Sequence, residues 1–107
     1  MAKYLVLWRM NPMAPWPKDP AEMVKLTDMM FTQMDALMQK GEVTDFGFFA
    51  NGTSGYGIGE GDATDEMNRD VSFYPWMDIE VHEIVPYEQG KEIARASWKA
   101  RAEAMKK

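Results

Sequence analysis

Apolar and polar residues alternate from Lys3 to Met10, with Tyr4, Val6, Trp8 and Met10 on one side and Leu5, Leu7 and Arg9 on the other. A period of two with aromatic and β-branched content predicts a first strand, covered on both faces. Residues 11–20 hold four prolines, which exclude a helix or central strand and predict a rigid connecting loop. The period then changes. Met23, Leu26, Met30, Met34 and Leu37 recur at spacings of three and four, widened by Phe31 and Met38, which predicts a helix with one broad apolar stripe. Asp19 is its expected N-cap, with Pro20 at the first helical position and Glu22 three residues past the cap. The helix runs to about Lys40, where Gly41 stops it.

Residues 43–50 predict a second strand, Asn51-Gly52 a tight turn, and residues 54–60 the return strand. Glycines at 55, 57, 59 and 61 remove side chains from one face of that strand, so some group must approach its backbone closely. Residues 62–65 (DATD) cap a shorter helix running to about Phe73, with Pro75 outside it. Residues 77–85 alternate again. Met77, Ile79, Val81 and Val85 fall on the face expected to meet the helices, and Asp78, Glu80, His82 and Ile84 on the other. Pro86 to Gly90 is expected to turn, and Lys91 to Lys107 to form a final helix on propensity.

The order β-α-β-β-α-β plus a C-terminal helix predicts one α+β domain over residues 1–107. Its fold is ferredoxin-like: a four-stranded antiparallel sheet with both main helices on one face. The other face is left open, an interaction surface that a second copy of the chain would cover as a homodimer or larger homo-oligomer.

Composition narrows the chemistry. The 107 residues contain no cysteine, which excludes disulfides, thiolate metal sites and a cysteine nucleophile. No apolar run approaches the roughly 20 residues of a membrane span, so a soluble, cytoplasmic protein is expected. Residues 91–107 carry Lys91, Arg95, Lys99, Arg101, Lys106 and Lys107 against Glu92 and Glu103, a local charge of +4. This leaves −9 on residues 1–90 within a total of −5. An acidic body disfavours nucleic acid and anionic membrane as partners. The basic segment is either a solvated helix face suited to the negative end of the helix dipole or a segment that docks on the acidic body of a second subunit. Eleven methionines against one histidine suggest an adaptable layer between helices and sheet, as filler or as a pocket wall.

Asp78, Glu80 and His82 share one strand face at about 7 Å spacing, a line of ionisable groups able to move protons if enclosed. Glu80 or Asp78 would be the base and His82 the acid. Arg9 would anchor an anionic group, with Tyr56 donating a hydrogen bond and Trp8 offering a ring contact. A salt bridge for Arg9, packing for Tyr56, a core or interface role for Trp8, and solvated or interface hydrogen bonds for the trio are the structural alternatives. One histidine at strand spacing is a poor metal set, so no metal is expected. The alternating glycines lack the lysine of a phosphate loop.

The run Phe73-Tyr74-Pro75-Trp76-Met77-Asp78-Ile79-Glu80-Val81 resembles a stretch of the muconolactone isomerases, at the same place between second helix and last strand. That family belongs to the dimeric α+β barrel superfamily. The resemblance implies a cofactor-free protein whose sheet pairs with that of a second subunit into a barrel, with a small-molecule pocket between sheet and helices. It also implies a proton-transfer isomerase chemistry in which Asp78 and Glu80 match the family's run. A non-catalytic module that binds a small ligand or only builds an oligomer is the alternative.

Overall fold

The computed structural model describes residues 2–106. Within them the chain forms β1 (Ala2–Met10), α1 (Pro20–Gln39), β2 (Val43–Phe48), β3 (Ser54–Gly61), α2 (Ala63–Val71), β4 (Met77–Ile84) and α3 (Tyr87–Met105). The sheet order is β2-β3-β1-β4, antiparallel at each pairing. This is the ferredoxin-like α+β arrangement that the alternation and spacing predict. The sheet is open, so one chain closes no barrel. Among the described residues no helix is long and apolar enough to cross a membrane.

Local chemistry sets the element ends. The Asp19 carboxylate accepts the Ala21 N–H at 3.0 Å with Pro20 opening the helix, and Gly41 leaves α1 at φ 76. Asp62 and Asp65 form a reciprocal capping box, each carboxylate accepting the other's N–H at 2.9 and 3.0 Å. Such caps each contribute about 1 kcal/mol. Three boundaries differ from expectation: the second strand ends at Phe48 rather than at residue 50, and two helix ends shift. The second helix ends at Val71 rather than Phe73, and the chain from Ser72 turns into β4. The last helix starts at Tyr87 rather than Lys91. Pro86 has no N–H to satisfy and serves as the residue before the first turn, while Gly90 is held inside the helix at a cost of about 1 kcal/mol relative to alanine.

The glycine strand organises the helix-facing side of the sheet. Register places Trp8 beside Gly55, Val6 beside Gly57 and Tyr4 beside Gly59. The Trp8 ring lies across Gly55, stacks on Phe46 at 5.6 Å and 5°, and meets Phe48 edge-on at 5.2 Å. A bulge between Val43 and Asp45 turns Val43, Phe46 and Phe48 inward and leaves Asp45 on the open face. The proline-rich loop is fastened to the segment before β4: Asn11 Nδ2 donates to the Pro75 carbonyl at 3.0 Å, and Trp16 packs against Trp76 with centroids 5.1 Å apart.

A methyl at Gly55 would collide with the Gly47 carbonyl and come within 2.5 Å of the Trp8 ring, whereas one at Gly57 meets Phe46 at 3.4 Å, an ordinary contact. Gly55→Ala is therefore expected to cost about 1–3 kcal/mol by overpacking, read from urea unfolding, and Gly57→Ala to cost well under half as much. Equal costs would contradict this packing.

Candidate functional site

Helix α2 is inverted relative to an ordinary amphipathic helix. Its apolar residues Met67 and Val71 are exposed at 68% and 56%, while Glu66 and Arg69 are 3% and 6% exposed against the sheet. Large side chains fit there because β3 has none: a Cβ on Gly59 would overlap the Glu66 carboxylate and approach Arg69 Nη2 at 2.8 Å. Glu66 Oε1 accepts from Arg69 Nη2 at 2.9 Å, and Arg69 Nη1 lies 3.5 Å from Glu42 Oε1 at the surface. Burial works against the Arg69 charge, but its contacts with Glu66 and Glu42 outweigh this and raise its pKa. Removing one partner from such a buried pair costs about 3–5 kcal/mol, because the other charge is left uncompensated.

One turn on, Asp70 completes the group. Its carboxyl is half-buried, and burial together with a hydrogen bond to Glu66 and that residue's negative charge pushes its pKa up to about 8, against a smaller lowering by Arg69. At neutral pH this carboxyl holds its proton. The Asp70 and Glu66 carboxyls therefore share one site beside Arg69.

This trio lines one part of a cavity of about 290 Å³ between the sheet and helices α1 and α2. The rest of the wall is apolar: Met10, Met23, Met30, Met34 and Met77, with aromatic rings including Trp8, Trp16, Phe46 and Phe73. Five of the eleven methionines thus line the space, a wall able to reshape around a guest. Three buried donors on the lining side chains, Trp8 Nε1, Arg69 Nε and Arg69 Nη1, have no hydrogen-bond acceptor among the described residues, although Nη1 keeps its ion pair with Glu42. Such groups are costly unless something accepts from them.

The six residues singled out from sequence are divided by the sheet. Asp78, Glu80, His82, Arg9 and Tyr56 share the open face by register, and Trp8 lies on the helix side within the cavity. Glu80 and His82 are hydrogen-bonded at 2.7 Å with side chains 65% and 57% exposed. Arg9 Nε is paired with Asp78 Oδ2 at 3.4 Å. The Tyr56 hydroxyl donates to Asp45 Oδ2 at 3.0 Å, which raises its pKa together with a smaller burial contribution. Among the described residues no group of three or more carboxylates and histidines is placed to hold a metal ion.

The raised Asp70 carboxyl has a defined effect on stability. Between about 4 and 8 it is protonated when folded and ionised when unfolded, so folding takes up a proton and stability falls as pH rises through that window. Asp70→Asn is expected to flatten this fall, seen as a smaller change in urea midpoint between pH 5 and 8 than in the wild type. Parallel pH profiles for the two proteins would contradict it. Comparison with protein-family models gives no match, and comparison with curated proteins gives none either.

Proposed function

We propose that this chain is a cofactor-independent proton-transfer catalyst of the isomerase type, acting in the cytoplasm on a small, mostly apolar carbonyl compound held in the cavity. The observation that carries the reading is the buried Glu66–Arg69 pair with the half-buried Asp70 beside it, at the edge of an otherwise apolar cavity of about 290 Å³. Glu66, ion-paired with Arg69, serves as base and protonated Asp70 as acid. Glu66, as carboxylate, takes a proton from the carbon beside the carbonyl. Arg69 faces the enolate oxygen that forms. Asp70 returns a proton to the far carbon of the conjugated system, so the double bond moves and no atom is gained or lost. The resemblance of residues 73–81 to muconolactone isomerases supports the same reaction class.

The same reading takes the open sheet face as the seam of a homodimer, two sheets pairing into an α+β barrel. Leu5, Leu7, Tyr56 and Ile58 form its less polar centre, and the Glu80–His82 and Arg9–Asp78 pairs its rim. An apolar centre with a polar rim is the usual anatomy of a protein interface.

The test is exchange in deuterium oxide with a panel of β,γ-unsaturated lactones and ketones, followed by NMR. The wild type should incorporate deuterium and shift the double bond. Glu66→Gln and Asp70→Asn should each lose about 10²-fold or more, and Glu80→Gln should retain turnover. Binding of panel members without exchange, detected by quenching of tryptophan fluorescence, would identify a ligand-binding module instead. Loss in Glu80→Gln with retention in Asp70→Asn would move the chemistry to the open face.

A further inference from the structure

We infer that α3 is an assembly arm whose apolar face docks on the acidic body of a second copy of this chain, an inference that rests on the self-association proposed above. Every residue from Lys91 to Lys106 is exposed, including Ile93 at 67% and Trp98 at 66%. The radius of gyration is 19.0 Å and the longest extent 70 Å, against about 13 Å for a compact domain of this length. The helix therefore projects from the body.

Its surface is sorted by side. At 100° per residue, Ile93, Ala96, Ser97, Ala100 and Ala104 form one face, and Ala94, Met105 and Trp98 a second strip beside it, with Arg101 between the two. Glu88, Lys91, Glu92, Arg95, Lys99 and Glu103 lie opposite. A helix with an apolar stripe that touches nothing has no reason to hold that pattern as a monomer, because tertiary packing supplies most helix stability. The Arg101 guanidinium sits 4.6 Å from the centre of the Trp98 ring, placing a cation within this side of the helix.

Charge and area both select a second copy. The +4 on residues 91–107 attracts a body of −9 over long range, with Arg101 the cation on the docking side itself and Lys91 at its edge, a complementarity that every copy of the chain offers to every other. The chain exposes 7951 Å², whereas a compact protein of its mass exposes roughly 6,100 Å². The excess, on the order of 1,800 Å² per chain, is what each partner surrenders in an obligate homodimer. The charge of the body works against an anionic membrane as the alternative occupant.

The experiment mixes equal amounts of ordinary and ¹⁵N-labelled full-length protein and joins lysines to carboxylates with a zero-length carbodiimide, while light scattering follows mass. The expected result is a dimer with mixed-isotope cross-links from Lys91 or Lys99 to carboxylates in residues 2–86, weakened at least tenfold in association by Ile93→Ser/Trp98→Ser. Those positions are exposed, so circular dichroism should show the fold unchanged. A dimer without mixed links from α3 would overturn the arm and leave the sheet seam standing. A monomer with same-isotope links alone would overturn both. Sedimentation of the protein with phosphatidylserine vesicles, lost in the same double variant, would assign α3 to a membrane surface and overturn the proposal.

Discussion

The close approach of α2 to β3 is the contact on which the cavity depends. A helix normally turns its apolar residues to a sheet, and charged groups are driven outward by the several kcal/mol that each costs to desolvate. Here the order is reversed because β3 offers bare backbone at Gly55, Gly57 and Gly59. The space that side chains would fill admits the Trp8 ring at one glycine and the Glu66–Arg69 pair at another. A valine at Gly59 would push the pair off the sheet and lower the cavity with it.

That arrangement forgoes core packing. Among the described residues Tyr4, Trp8, Met30 and Val43 are the buried apolar side chains, few for a chain with 46% hydrophobic residues. Apolar surface is directed instead to the cavity wall, to the open sheet face and to α3. A buried ion pair adds little stability over an apolar replacement of equal volume, so stability is a weak reason for placing Glu66 and Arg69 inside.

Much of this was legible in the chain before its fold was known. Alternation in β1 and β4 gave both strands, but β1, expected to be covered on both faces, has one face open with Arg9 exposed, and Val81 and Val85, expected under the helices, are exposed; Asp19 and Asp62 marked helix starts, and the glycine periodicity announced a close approach. The identity of the approaching group was not legible. Glu66, Arg69 and Asp70 sit at i, i+3 and i+4, a pattern that on an ordinary helix is a solvated face, and Met67 and Val71 supply a plausible apolar stripe on the wrong side. Only pairing the missing side chains of β3 with the long polar ones of α2 resolves which face turns inward. Pro86 to Gly90 misled for a similar reason, since proline and glycine mark both turns and helix starts. The line of Asp78, Glu80 and His82 was placed correctly on one face by its period, but periodicity does not report whether that face is enclosed.

Carbon-13 NMR of the side-chain carboxyls as a function of pH tests the central claim, that α2 holds a protonated carboxyl beside a buried ion pair. The account predicts that the Asp70 Cγ resonance titrates with a midpoint near 8 and that the Glu66 Cδ resonance senses the same transition. An Asp70 midpoint near the ordinary 3.8, with Glu66 silent across the neutral range, would contradict it.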